Sequence, residues 1–294
     1  MRNPLSKTIE QIKPSGIRKF FDIVSEMPHA ISLGVGEPDF DTPWHVRSEG
    51  IRSLEKGRTF YTSNSGLIEL RQEICKWYQR KYNVLYDYKT EALLTVGGSE
   101  GIDVALRAML DPGDEVIIPE PCYVSYVPCV QLIGAVPVTI ELKNENQFRL
   151  TSEELLAAIT DKTKILILAF PSNPTGAVMT KEDLEPIAKI CQEKDIYVIS
   201  DEIYSELTYG GQKHCSISSL PGMKERTIVI NGFSKAYAMT GWRLGYALAP
   251  EVIAHQMTKI HQFAIMCAPT TSQYAAIEAI KNGDADIEKM CKSY

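Results

Sequence analysis

Long hydrophobic runs are missing from this chain of 294 residues. The longest uninterrupted apolar stretch is Ile165-Leu-Ile-Leu-Ala-Phe170, far short of the roughly 20 residues that a membrane-crossing helix needs. The opening Met1-Arg-Asn-Pro-Leu-Ser-Lys7 lacks the apolar segment of a secretory leader, so cytoplasmic residence is the expectation. Cysteines occur at 75, 122, 129, 191, 215, 267 and 291, an odd number with no Cys-x-x-Cys spacing. That excludes a disulfide framework and leaves small buried thiols in a reducing compartment. Histidine is sparse. Of the five, only His255 and His261 fall near each other, and a spacing of six puts them on different helix faces, so no metal site is expected. Neither sign of charge forms a long run. A net charge of −6 with both signs mixed is wrong for a nucleic-acid surface, which needs a basic stripe. There is no internal repeat and no low-complexity linker.

What is present is a 44% hydrophobic composition, enough for one large core or a large core and a smaller partner. Apolar, β-rich runs at 92–96, 115–118, 135–140, 164–169, 196–200, 227–231 and 244–248 alternate with helix-period stretches. That alternation predicts an α/β domain with a mostly parallel sheet. Leu67, Leu70, Ile74, Trp77 and Tyr78 recur at helical spacing, and Thr180-Lys-Glu-Asp183 is a helix start with Thr180 as N-cap. The ends differ. Residues 1–30 hold Pro4, Pro14 and Pro28 and a short helical pattern over 17–27, which suggests an arm. Over 284–294, Ile287, Met290, Cys291 and Tyr294 share a helix face with no closing Gly or Pro. The expected organisation is an arm (1–30), a large domain (31–282) and the start of a helix leading to a small C-terminal domain that is missing (283–294).

Chemistry concentrates just after the strands, where open α/β sheets bind their ligands. Lys235 closes a segment that begins with the strand Thr227-Ile-Val-Ile-Asn231 and stands in Gly232-Phe-Ser-Lys-Ala-Tyr-Ala-Met-Thr-Gly-Trp-Arg243. A lysine amine can condense with an aldehyde, and an arginine eight residues on can grip a phosphate bidentately. Gly97-Gly-Ser-Glu-Gly101 follows a strand and opens a helix. It is either an ordinary βα turn or an anion cradle made by the amides of Gly98, Ser99 and Glu100. Asp201, ending another strand, either caps a helix or holds a cationic ring nitrogen. Ser172-Asn-Pro-Thr-Gly176 is a turn signal by itself. Tyr123, in Pro121-Cys-Tyr123, is core or a stacking platform.

The order and joint occurrence of Asn173, Asp201, Tyr204, Lys235 and Arg243 strongly resemble the class I and II aminotransferases, fold-type I pyridoxal phosphate enzymes, from about Ser15 to the C-terminus. The resemblance implies pyridoxal 5′-phosphate as cofactor, held on Lys235 as a Schiff base, and transfer of an amino group from an L-amino acid to a 2-oxo acid. Lys235, Asp201 and Tyr204 are then catalytic. Gly98, Ser99, Glu100, Ser234 and Arg243 surround the phosphate, Tyr123 stacks on the ring, and Asn173 and Tyr204 bond its phenolic oxygen. Gly36, in Leu33-Gly-Val-Gly-Glu-Pro-Asp-Phe40, and Asn173 face the substrate. Tyr61 reaches the phosphate of a neighbouring subunit, so the expected assembly is a homodimer with a shared site, without nucleic acid or membrane. The arginine that clamps the substrate carboxylate in the family has no counterpart segment here. Carbon–sulfur β-lyases share the constellation and are the alternative activity. A cofactor-binding sensor, the non-enzyme alternative, would carry a winged-helix region for which Met1 to Gly16 leaves no room.

Overall fold

The computed structural model describes residues 2–14, 23, 26, 27, 29 and 36–294. The helical pattern expected over 17–27 falls largely outside them, as do residues 33–35 of the glycine loop. All seven expected strands form: β1 Ala92–Thr95, β2 Glu115–Glu120, β3 Val136–Glu141, β4 Thr163–Ala169, β5 Tyr197–Asp201, β6 Thr227–Gly232 and β7 Gly245–Leu248. They make one sheet in the order β1-β7-β6-β5-β4-β2-β3. The run from β3 through β2, β4 and β5 to β6 is parallel, and β7 lies antiparallel to both β6 and β1.

Both faces of this sheet are covered, which is why its strands are continuous apolar runs rather than alternating ones. Successive side chains point to opposite faces. In β4, Ile165 and Ile167 enter one core with Ile102, Leu106 and Met257, while Leu166 and Leu168 enter another with Leu184 and Ile187. In β6, Val229 turns away from Ile228 and Ile230 to join a third cluster with Leu70, Ile74 and Tyr78.

Among the described residues the helices are α1 Lys7–Gln11, α2 Trp44–Glu55, α3 Ile68–Tyr82, α4 Gly98–Met109, α5 Tyr126–Leu132, α6 Ser152–Ala158, α7 Lys181–Glu193, α8 Glu251–Ala264, α9 Thr270–Asn282 and α10 Asp284–Ser293. Thr180 caps α7 as expected. Its hydroxyl accepts from the Asp183 amide and the Asp183 side chain returns to the Thr180 amide, a capping box. No helix among the described residues is long and apolar enough to cross a membrane.

One packing detail sets up the site. The first turn of α4 lies directly on the β6–β7 pair. A Cβ added to Gly245 would stand 2.6 Å from the carbonyl carbon of Gly97 and 2.7 Å from the Gly98 nitrogen. Gly232, paired with Gly245, has no room for a Cβ either, at 3.0 Å from the Gly245 Cα. Only bare backbone lets a helix start come this close to two strands.

Candidate active site

Lys235 follows β6 at the carboxyl end of the parallel strands, half-buried among buried neighbours. Its Nζ donates to the carbonyl of Gly36 and lies 5.8 Å from the centroid of the Tyr204 ring. Burial, reinforced by the nearby Arg243 and opposed by Glu37, lowers the amine below the ordinary lysine range. A lysine so placed is more readily neutral, and the neutral amine is the nucleophile. Ser234 beside it is buried.

Arg243 adopts a left-handed backbone (φ 52°), which turns its side chain back toward Gly97. A Cβ at Gly97 would come within 2.7 Å of the guanidinium, and Gly97 itself has φ +77°. The positive φ favours glycine there, and a side chain would displace the guanidinium from its place. Arg243 Nη1 donates to the Thr240 carbonyl at 2.9 Å, which fixes the guanidinium beside the start of α4. Gly97, the N-cap of α4, has no side chain and no side-chain hydrogen bond caps the helix. The amides of Gly98, Ser99 and Glu100 are consequently free for an anion. The structure thus brings a fixed arginine to an uncapped helix start near a half-buried lysine, and these groups fit a phosphorylated aldehyde such as pyridoxal phosphate.

The Glu100 carboxylate does not face this cradle. It accepts from the Val96 amide through Oε2 and is 2.6 Å from His261 Nδ1 through Oε1. Ser99 Oγ and the Tyr123 hydroxyl are 3.4 Å apart, which places Tyr123 over the cradle.

Asp201 ends β5, buried. No helix follows it, so the capping alternative falls away: its Oδ1 accepts instead from the Ile203 amide at 3.2 Å in a tight turn. Tyr126, T-shaped against Tyr123, donates to Asp201 Oδ2 at 2.7 Å. Burial pushes the Asp201 carboxyl up, with the Tyr126 and Ile203 hydrogen bonds opposing. Tyr204 is half-buried. Its hydroxyl is pushed up by burial, then by Asp201 and Tyr123, while Asn173 pulls the other way, so Asn173 and Tyr204 are neighbours.

Tyr61 is elsewhere. It is 79% exposed, next to Phe60 at 81%, and the segment carrying it is tied to the chain after α8 by Thr270 Oγ1 to the Phe60 carbonyl (2.8 Å) and Asn64 Nδ2 to the Met266 carbonyl (2.9 Å). A hollow of about 530 Å³ between Lys81–Asn83, Val178–Glu182 and the 208–215 loop touches none of these residues. Two of its lysines are already paired, Lys81 with Glu206 at 2.7 Å and Lys181 with Glu185 at 3.6 Å.

Sequence reasoning missed Tyr126 and His261. Tyr126 had only its place just after Tyr123 to signal it. His261 was considered for metal binding alone, and nothing in a linear sequence pairs it with Glu100. Among the described residues no cluster suits a metal ion.

A mainly parallel sheet with lysine, arginine and a bare helix start converging at the strand ends is the frame of a fold-type I pyridoxal phosphate enzyme. The chain belongs to the class I and II aminotransferases, a family it matches over residues 28–293. It is 52% identical over 294 residues to a putative aminotransferase, YugH, of Bacillus subtilis, covering 100% of this chain and 76% of that protein. It is 44% identical over 292 residues to aromatic-amino-acid aminotransferase 2 of Thermococcus litoralis, covering 99% and 75%. The aspartate aminotransferase of Thermus thermophilus with maleate superposes with a TM-score of 0.95 at 37% identity, covering 100% of this chain and 78% of that one. The chain thus spans about three quarters of these relatives. It is a pyridoxal phosphate-dependent transaminase.

Proposed function

We propose that Lys235 is the residue that carries pyridoxal phosphate and moves the proton during amino transfer from an L-amino acid to a 2-oxo acid. The observation that carries this is the lowered, half-buried Lys235 amine set between Gly36, Tyr204 and the Arg243-backed start of α4. When bound, the cofactor supplies an aldehyde that links amines and a ring that withdraws electrons from the substrate Cα.

The chain's own residues do the rest. The amides of Gly98, Ser99 and Glu100 and the Arg243 guanidinium hold the phosphate, with Ser234 alongside. Asp201, oriented by Tyr126 and the Ile203 amide, holds a proton on the ring nitrogen, because a facing carboxylate favours the charged form. Its buried charge, costly without a partner, is then compensated. Tyr123 stacks on the ring and fixes its plane. Asn173 and Tyr204 donate to its phenolic oxygen. With the cofactor bound, Lys235 Nζ would be the group placed to take the proton from the substrate Cα and to hand it back. Gly36, whose carbonyl meets Lys235 in this structure, marks the substrate side with Asn173.

We assign a cytoplasmic homodimer on three supports. All seven cysteines are free. Phe60, Tyr61 and Phe263 stand 79–84% exposed, and apolar groups so placed suit a partner surface. Tyr61, exposed on the surface of its own chain, suits a second subunit's phosphate. Residues 31–282 act as the cofactor domain, 1–30 as an arm and 283–294 as the root of a small domain.

The test is Lys235→Ala. The borohydride-fixable link and its absorbance should vanish while noncovalent cofactor remains, since Arg243 and the α4 amides do not need the amine. A variant that still carries a reducible link sinks the assignment.

A further inference from the structure

Glu100 poses a problem for the cradle that the structure answers. It is the third residue of α4, and a carboxylate in a first helical turn is drawn to the same exposed amides and positive helix end as a phosphate. A free Glu100 could therefore turn back and cap the helix that has to receive the cofactor. It is instead tied on both oxygens, Oε2 by the Val96 amide and Oε1 by His261 Nδ1 at 2.6 Å.

His261 comes from α8, outside every motif of the site, and its side chain is fully buried. Among the described residues its Nε2 is buried without a partner. A carboxylate oxygen can only accept here, so Nδ1 carries the hydrogen and donates it to Glu100. The hydrogen bond this buried ring makes among the described residues thus goes to a residue of the cradle.

We propose that His261 is a positioning residue for cofactor binding: it latches the Glu100 carboxylate against the end of β1 and so keeps the α4 amides open to phosphate. This rests on the assignment of the cradle and Lys235 above, and adds a residue and a mechanism of anion selection to it.

The latch acts on phosphate, so the measurement compares pyridoxal phosphate with pyridoxal, each titrated into the 294-residue chain and followed by absorbance of the Lys235-linked form. His261→Leu should weaken pyridoxal phosphate about tenfold, the scale of one lost charged contact, and leave pyridoxal within about twofold, the spread allowed here for an unperturbed contact. His261→Gln, whose amide stands near Nε2 rather than Nδ1, should behave the same and serves where Leu is not tolerated. His261→Asn, which keeps an N–H near Nδ1, should retain the parent's preference. Adding Glu100→Gln to either weakened variant should restore most of the phosphate preference, because a neutral amide competes poorly for the helix end.

Equal losses for both aldehydes would reduce His261 to a packing role and overturn the proposal. So would an unchanged preference in the Leu or Gln variant, or no recovery with Glu100→Gln. If the parent links neither aldehyde, the assignment of Lys235 itself falls and the latch falls with it, an outcome distinct from linkage without a change in preference.

Discussion

Two ring–carboxylate partnerships in this chain sit in opposite surroundings. At the floor of the site Tyr126 donates to buried Asp201 at 2.7 Å. On the outer side, His45 of α2 bridges Glu278 of α9 at 2.8 Å and Asp286 of α10 at 2.9 Å, with about a third of its side chain (35%) exposed. In the first, burial outweighs the hydrogen bonds and the Asp201 carboxyl rises. In the second, burial alone would lower the imidazole, but hydrogen bonds and attraction from Asp286 and Glu278 together raise it. The clasp is satisfied by its own partners. The floor holds a carboxylate whose charge is under-compensated until a cation faces it, which is what a ring-nitrogen partner needs to be.

The most severe way to break this comparison is Asp201→Ala. Turnover should fall on the order of 10³-fold, the scale of losing a preorganised charge in a dry site, while cofactor is largely retained through Arg243 and α4. Near-parental turnover would make Asp201 a turn residue only. Asp201→Asn adds a sign. Because the folded carboxyl is raised, the folded chain binds that proton more tightly than the unfolded one. Stability is therefore lost as pH climbs from the unfolded value of about 3.9 through the raised folded one. Without cofactor, Asp201→Asn should melt higher than the parent at neutral pH, the gap closing near pH 4.

Tyr126→Phe should act in the same direction but less strongly. It removes one of two hydrogen bonds to Asp201, leaving the carboxylate less oriented and its pKa further raised. A fall in turnover of about tenfold is expected, with a stability change of about 1 kcal/mol. Unchanged turnover would mean that the Ile203 amide orients Asp201 unaided.

The smallest effect belongs to the clasp. A raised histidine contributes stability fully below its unfolded value of about 6.5 and loses it as pH rises through the folded one. His45→Gln should therefore lower the melting temperature most near pH 6 and least near pH 9. A gap independent of pH would show that packing, not charge, joins α2 to α9 and α10.

Much of this molecule was legible in its residues. The seven strands stood out because a sheet covered on both faces makes its inner strands nearly continuous apolar runs, and Thr180 declared α7 through a purely local cap. Lys235, Asp201 and Gly97-Gly98 could be proposed because reactive groups at strand ends carry short-range marks: a preceding apolar run, adjacent glycines, a fixed order along the chain. The surroundings bear on the alternatives left open there. Asp201 lost its capping role only when no helix was found to follow it. The direction of β7, the stacking of Gly97 on Gly245, and the partnerships Tyr126–Asp201 and His261–Glu100 had no local mark. The last two join residues 75 and 161 positions apart. Sequence alone determined which segments are strands and which residues to propose for the chemistry, because hydrophobic periodicity and turn chemistry act between near neighbours. Tertiary structure alone decided which buried ring meets which carboxylate, because such a bond becomes worth making only once folding has excluded water from both groups.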